Sequence, residues 1–389
     1  MNLPAEIVAR IVDELRDHSK ALAQCALTNH SWLSYARKVL YHTVTLSSEK
    51  RAQHFCSLIH KNLEITNCVR VLKFNVYSYY MSQKQYTSQG LQGWVPSTAA
   101  LLASRLPSVS TIHFEYIQWQ ILHGFDRNLL DALSDFAKVR TVRFWACTFA
   151  TFAEFEDILL ALPALRRLQL DSISWGQPLT KPPYTLRLDS LSTSAHYSLQ
   201  ALCQWLDKIQ AHTTLYELEL DHLYDEDDLR YAGKILSKLD TTLQSLTICC
   251  RFSCDGYSRL QDIGQWLRIE RSTALRTLRI RVYDLVPEYM HWITKLLRLI
   301  EAPNLTTLVF DVCLFMPSQT YGEVWDDIAW LLSESPRYAS LRRVRFVHRG
   351  PLMMEIAAAA LCRQFPILHL RGVLEAEDQR NPDLLTCAI

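Results

Sequence analysis

The chain has 389 residues, is rich in apolar residues and is almost neutral. Hydrophobic residues make up 49% and charged residues 21% of it, which excludes a disordered chain and allows a substantial buried core. The 41 basic and 40 acidic residues nearly cancel, so no global field attracts nucleic acid or an anionic membrane. The 10 glycines are too few to favour a fold built on glycine-rich phosphate loops.

Cysteine usage and the start of the chain indicate a reducing compartment. The 11 cysteines are odd in number and scattered along the sequence. Met1 is followed almost at once by Glu6, Arg10 and Asp13, which leaves no apolar signal core. No apolar run approaches the roughly 18 residues that span a bilayer. We therefore expect a cytoplasmic or nuclear protein with free thiols and no membrane partner.

The first forty residues predict three short helices. Pro4 suits a first helical turn, and Ile7, Ile11 and Leu15 recur every four residues as an apolar stripe. A second helix follows with an apolar stripe, and a third runs on to residue 40 behind a cap at Asn29 or Ser31. A core this thin often needs outside surface to be fully stable.

This segment resembles the F-box, in the F-box-like form found in fungal proteins. The resemblance lies in the following residues: Leu-Pro-Ala-Glu-Ile at 3–7, Ile11, Leu15, Cys25-Ala-Leu27, Ser31-Trp32, Leu40-Tyr41 and Val44. In that family the Leu-Pro turn and the three helices dock on a Skp-type adaptor of a cullin ubiquitin ligase. The resemblance implies the following adaptor face, with its immediate support: Leu3, Pro4, Ile7, Ile11, Leu22, Leu27 and Trp32. The pattern departs from the family at Leu27-Thr28-Asn29-His30, where a valine, a serine or cysteine, and a basic residue are usual.

The same three helices have a second interpretation. Repeat arrays need a terminal cap that covers their apolar end, and a plain three-helix cap would serve. Exposure of Leu3, Pro4 and Ile7 distinguishes the two, because a cap would bury them against the first repeat and an adaptor face would leave them partly exposed.

The rest of the chain carries an internal repeat, in which an apolar-x-x-apolar-x-apolar frame alternates with helix-period stretches. Most gaps between frames run from 24 to 36 residues, and proline often marks the return to the strand. The frames are Val69-Leu72-Phe74, Val109-Ile112-Phe114, Val139-Val142-Phe144, Leu165-Leu168-Leu170, Leu215-Leu218-Leu220, Leu243-Leu246-Ile248, Leu275-Leu278-Ile280, Leu305-Leu308-Phe310, Leu341-Val344-Phe346 and Phe365-Leu368-Leu370, with a degraded copy at Leu188-Leu191.

A short strand followed by a helix at this spacing resembles the leucine-rich repeat in a long and irregular form. Cys147 and Cys313 fall where that family places an Asn or Cys after the strand, although the Asn ladder is absent. We therefore predict an α/β repeat solenoid over residues 46–389, behind a three-helix module over residues 1–45. It would have about ten to eleven irregular repeats, a parallel concave sheet and convex helices in an uneven arc.

Strand geometry predicts which side chains are free to bind a partner. Positions one, four and six of the frame point inward, whereas positions three, five and seven can face the concave surface. The implied surface is basic, then acidic, then basic again, which suits selective protein recognition but equally suits strand positions that are simply solvated. The predicted substrate-binding residues are Arg143, Trp145, Arg167, Asp171, Glu217, Glu219, Asp221, Arg279, Arg281, Arg343 and Arg345. The aromatic insertion Tyr77–Tyr80 is a second candidate surface, with disorder as the alternative.

Motifs for catalysis or metal binding were not found in the sequence. Cys249, Cys250 and Cys254 lie close together without a second ligand pair, so buried thiols are expected instead of a zinc site. The acidic run at 225–228 lacks the glycine and distal glutamate of a calcium loop and fits a helix N-terminus. We therefore expect no cofactor, no metal and no catalytic residue.

Together these features predict an adaptor protein. Residues 1–45 would bind a Skp-type adaptor and through it a cullin, as part of an SCF ubiquitin ligase complex, and the solenoid would bind a protein substrate. The rivals are a leucine-rich-repeat scaffold or inhibitor with a helical cap, and an enzyme whose site lies on the loops.

Overall fold

The computed structural model describes most of the chain. It covers residues 3–76, 93–119, 127–177, 184–194, 199–251, 263–283, 290–314, 316, 322–378 and 386–388. The aromatic insertion Tyr77–Tyr80 and Cys254 lie outside these residues. Contacts within the chain divide it into two units, Met1–Lys181 and Pro182–Ile389. Within the residues covered, no helix has the length and apolar character to cross a membrane.

Three short helices open the first unit, as the sequence predicts. They are α1 (Ala5–Glu14), α2 (Ser19–Thr28) and α3 (His30–Leu40). The carbonyl oxygen of Pro4, just before α1, accepts hydrogen bonds from the backbone N–H groups of Ile7 and Val8 in the first turn of the helix. Asn29 caps α3, because its side-chain oxygen accepts a hydrogen bond from the Ser31 N–H at 3.0 Å.

The core of these helices uses a neighbouring face of α1, not the one that the sequence predicts. Val8, Val12 and Leu22 are buried together, with Leu15 and Trp32 among the side chains packed against them. The predicted stripe of Ile7, Ile11 and Leu15 was therefore partly wrong. A shift of one residue rotates a helix face by about 100°, so Ile7 turns outward while Val8 points into the core.

A five-stranded parallel sheet follows in the first unit, with spatial order equal to chain order. Its strands are β1 (Thr43–Leu46), β2 (Val71–Asn75), β3 (Thr111–Glu115), β4 (Thr141–Trp145) and β6 (Arg167–Asp171). The short strands β5 (Thr148–Thr151) and β7 (Ser174–Gln177) pair separately. The helices are α4 (Glu49–Lys61), α5 (Leu63–Thr66), α6 (Trp94–Ala103), α7 (Arg127–Ser134) and α8 (Phe152–Leu160).

The second unit continues the same alternation with seven parallel strands in chain order and one antiparallel strand at the end. The parallel strands are β8 (Ser190–Ser194), β9 (Glu217–Leu223), β10 (Ser245–Cys250), β11 (Thr277–Val282), β12 (Thr307–Val312), β13 (Arg343–His348) and β14 (Leu374–Asp378). Strand β15 (Thr386–Ala388) pairs antiparallel with β14. The helices are α9 (Leu199–Lys208), α10 (Glu226–Leu236), α11 (Ile263–Leu267), α12 (His291–Leu299), α13 (Glu323–Glu334), α14 (Met354–Gln364) and α15 (Pro366–Leu370).

The apolar frame forms the core of both units, because in-register parallel pairing stacks equivalent residues of successive strands. In the first unit Phe74, Phe114 and Phe144 stack, with ring centroids 5.6 and 5.4 Å apart. In the second unit Phe310 and Phe346 stack at 5.0 Å. This alternation of a short parallel strand and a helix confirms the predicted α/β repeat. The identity of α1–α3 as an F-box stays a prediction.

Two strands differ from the sequence prediction. The frame Phe365-Leu368-Leu370 was wrong as a strand, because Pro366 starts the helix α15 and the strand of that repeat comes later, at Leu374–Asp378. A proline fits the first turn of a helix, whereas it removes a hydrogen bond from a strand ladder. The strand Thr43–Leu46 was not expected, and it pairs with β2 as the first strand of the sheet.

Candidate functional site

The predicted adaptor face is mostly exposed. Leu3 is 48%, Ile7 45% and Leu27 81% exposed, which is unusual for large apolar side chains. Pro4 is exposed as well, and Ile11 and Trp32 are half-buried. Leu22 lies in the helical core, which makes it a support and not a contact residue. The described surface therefore offers apolar side chains around the start of α1 and at the end of α2.

Every predicted substrate-binding residue lies on a strand, and within each unit these side chains share one side of the strands. Buried and half-exposed residues alternate along the strands, as in the pattern of β4, where Val142 and Phe144 are buried and the residues between them are not. We call the side that carries the half-exposed residues the open face. It holds all the predicted residues, namely Arg143, Trp145, Arg167, Asp171, Glu217, Glu219, Asp221, Arg279, Arg281, Arg343 and Arg345.

The open face of the first unit carries a row of basic side chains on three adjacent strands. Lys73, His113 and Arg143 are paired in register, so they follow one another at the strand spacing of about 4.8 Å. We call these three residues the basic row. Lys73 and Arg143 form no ion pair with any carboxylate that the structure describes, which leaves both charges available. The frame rule itself would have found Lys73 and His113, because each is position five of its repeat.

Aromatic side chains lie beside the basic row. The Arg143 guanidinium lies over the Trp145 ring at 5.9 Å from its centroid, and the Tyr116 ring lies 4.8 Å from that of Trp145. The acidic residue Glu115, on the same strand as His113, is buried and accepts a hydrogen bond from the Asn75 amide at 2.5 Å. Half-exposed aromatic and arginine side chains are the types most enriched at protein interfaces.

His113 should make the stability of the protein fall at mildly acidic pH. Burial, followed by the charges of Lys73 and Arg143, lowers the pKa of His113 from 6.5 to about 4. Between those pH values the unfolded chain binds a proton that the folded chain does not, so the free energy of unfolding decreases as the pH falls. We expect His113 to contribute about 1 to 2 kcal/mol to that decrease between pH 7 and pH 4.5.

Urea unfolding of the wild-type chain and of His113→Gln at both pH values measures this contribution as a difference. The same pH dependence in the two proteins, or an imidazole of His113 that titrates near 6.5 by NMR, would contradict it.

On the open face of the second unit, by contrast, the charged side chains form ion pairs with one another. Arg281 reaches from β11 across β10 to Glu219 and Asp221 of β9, with N–O distances of 2.7 and 2.8 Å. Its Nε also lies 3.4 Å from Asp311, which is buried on β12 and is contacted at 2.5 Å by Arg349. Buried charges of this kind need partners, and here each guanidinium has at least one.

The predicted basic region towards Arg343 is neutralised in the same way, so that part of the prediction was wrong. The Arg343 side chain lies 2.8 Å from Glu375, and Arg345 contacts both Glu375 and Glu377, at 3.2 and 3.0 Å. Both glutamates belong to β14, the strand that the sequence analysis placed several residues too early. Because the sequence prediction did not include β14 as a strand, it could not predict that these two arginines would be paired with its glutamates.

The acidic run at residues 225–228 caps a helix, as expected. Asp225 is the N-cap of α10, and its side chain accepts a hydrogen bond from the Asp228 N–H at 2.8 Å. Asp228 in turn accepts one from the Tyr224 N–H at 2.9 Å. Carboxylates at a helix N-terminus are stabilised by the helix dipole, which accounts for the run without a calcium ion.

The cysteines that the structure describes are all free thiols. Burial raises the pKa of the Cys147 thiol to about 12, and the Cys147 Sγ lies 3.2 Å from the Phe114 carbonyl oxygen of the neighbouring repeat. A thiol held protonated in this way is a poor nucleophile. Cys147 therefore acts as a structural residue at the end of its strand.

Comparisons with known proteins add little to this description. No family model matches the chain, and no curated protein matches its sequence. Among solved structures, the leucine-rich repeat-containing protein LegL7 from Legionella pneumophila is similar at 13% identity and a TM-score of 0.40, over 87% of this chain and 91% of that one. A score of this size supports no inference. The α/β repeat therefore rests on the strands and helices of the chain itself.

Proposed function

We propose that this protein is the substrate-recognition subunit of an SCF-type ubiquitin ligase. The observation that carries the proposal is the exposure of Leu3, Ile7 and Leu27 on helices whose other apolar side chains form a core. A plain cap would bury such residues against the first repeat, whereas a docking face for a Skp-type adaptor needs them at the surface. The F-box-like spacing of the same residues supports this choice.

The repeats would then hold the substrate. The first unit offers the basic row and the Trp145 ring, and the open face of the second unit is acidic at Glu217 and neutralised elsewhere. Patterned charge of this kind favours one partner over others more than it raises affinity. The mechanism is proximity: the bound substrate has a high effective concentration at the ubiquitin-loaded enzyme, and the chain supplies no reacting group itself.

Binding of the purified full-length chain to a Skp-type adaptor tests the proposal. We expect the combined variant Leu3→Ala/Pro4→Ala/Ile7→Asp to weaken binding at least 100-fold, because it removes three apolar side chains and places a charge in the interface. Isothermal titration calorimetry measures the two dissociation constants directly. The three positions are exposed, so the variant should keep the melting temperature of the wild type.

A matched control changes two half-exposed residues of the same unit that lie away from the N-terminal helices. Lys73→Ala/Arg143→Ala alters the open face and should leave the affinity for the adaptor unchanged. Absence of binding by the wild-type chain would refute the ubiquitin-ligase role and leave a repeat scaffold with a helical cap. Equal losses in both variants would show that the contact is not specific to the N-terminal helices.

A further inference from the structure

Three metal-ligating side chains converge on the open face of the second unit. They are Asp221 and His222 at the end of β9 and Cys249 on the adjacent strand β10. One donor atom of each lies within 4.8 Å of the others. Cys249 is buried, and the side chains of His222 and Asp221 are 22% and 16% exposed, so the group is reached from solvent through these two residues.

The backbone explains how two consecutive residues reach the same place. Successive strand residues normally point to opposite faces, but His222 has a φ of +58°, which interrupts the alternation directly after Asp221. Tyr116, Ala146 and Ser172 adopt the same conformation at the same point of their repeats. The turn is therefore a property of the repeat, and the sequence of this one repeat places a histidine in it.

The carboxylate of Asp221 is oriented for a further contact. Its Oδ2 accepts a hydrogen bond from Arg281 at 2.8 Å, whereas its Oδ1 is buried and has no hydrogen-bond partner among the described residues. A buried oxygen of this kind costs free energy unless a water or an ion satisfies it. Asp311 also has a buried Oδ1 without a hydrogen-bond partner, but the metal-ligand cluster includes only Asp221.

We propose that Asp221, His222 and Cys249 bind a zinc ion, with water as its fourth ligand. Thiolate, imidazole and carboxylate are the donors that zinc prefers, and three protein ligands leave one tetrahedral position open. The thiolate and the carboxylate supply two negative charges, which balance the charge of the ion. Arg281 is held by Glu219 and Asp311 as well as by Asp221, so it stays paired and fixes the carboxylate as an outer-shell partner.

Cobalt and zinc titrations of the full-length, reduced and chelator-treated chain test the site. Cobalt takes the place of zinc and reports thiolate ligation by a charge-transfer absorption band in the near ultraviolet. We expect a band that saturates at one equivalent of Co²⁺ and disappears when one equivalent of Zn²⁺ is added. Cys249→Ser should abolish the band, and Asp221→Asn should lower the affinity for zinc at least tenfold.

Cys147→Ser is the matched control, because Cys147 is an equally buried free thiol in the first unit but lies outside the ligand cluster. It should keep the band and the stoichiometry. No thiolate band in the wild-type chain, or a band that survives in Cys249→Ser, would overturn the proposal. Where Cys249→Ser does not fold, the wild-type stoichiometry and Asp221→Asn decide the question.

Discussion

Asp311→Asn is expected to lower the free energy of unfolding by about 3 kcal/mol or more. Asp311 is 1% exposed and accepts hydrogen bonds from Arg281 and Arg349, while Arg279 lies 4.0 Å away. Removing the carboxylate charge leaves these guanidiniums next to one another with less compensation, and breaking a buried ion pair costs about 3 to 5 kcal/mol. Urea unfolding followed by circular dichroism measures the difference from the wild type.

Asp327→Asn provides the same chemical change at an exposed ion pair. Asp327 lies 3.3 Å from Arg298, and both side chains are about half exposed. Exposed pairs contribute about 0 to 1 kcal/mol, so this variant should unfold almost as the wild type does. If the two variants lost similar amounts of stability, burial would not be what makes the Asp311 network important.

Gly233→Ala is expected to destabilise the second unit by about 3 kcal/mol or more, although alanine is the better helix former. Gly233 lies inside α10, and a Cβ atom there would come within 1.6 Å of the Trp266 carbonyl oxygen on α11. That oxygen belongs to the backbone, so the two helices must separate, and overpacking of a tight contact costs about 1 to 3 kcal/mol or more. Helix propensity alone predicts a gain of about 1 kcal/mol.

The close contact predicts a loss of stability and helix propensity predicts a gain, so thermal or urea unfolding of Gly233→Ala decides between the two. Gly264→Ala is the graded control, because the Cβ there would meet the terminal Cδ1 atom of Leu299 at 2.8 Å. A leucine side chain can rotate away, so this variant should cost far less. A stable Gly233→Ala protein would show that α10 and α11 are not packed as closely as described.

The sequence predicted the repeat well because one physical signal recurs. The inward positions of each frame must be apolar in any parallel sheet with helices between its strands, and Leu168, Leu246 and Val344 are all fully buried. The same signal fails where it is ambiguous. An apolar-x-x-apolar pattern also fits one turn of a helix, and only Pro366 distinguished the two at residues 365–370.

Ion pairing between side chains of different strands could not be predicted from the sequence, because it depends on the register between strands that lie about thirty residues apart. Arg281 was predicted as a free binding residue, and it is instead held by Glu219, Asp221 and Asp311. Cys249 was predicted as a buried thiol, and its neighbours Asp221 and His222 come from the preceding strand. Local spacing could not bring these three residues together.

The antiparallel strand β15 changes how the end of the second sheet meets other molecules. A parallel sheet ends in a row of unpaired N–H and C=O groups, which other chains can extend by adding a strand. Here Thr386–Ala388 occupies that row along Glu375–Glu377 of β14. The edge of this sheet is therefore a strand of three residues, Thr386–Ala388. A strand this short offers fewer backbone groups for edge-to-edge pairing than β14 would, which leaves the face of the sheet as the larger surface for partners.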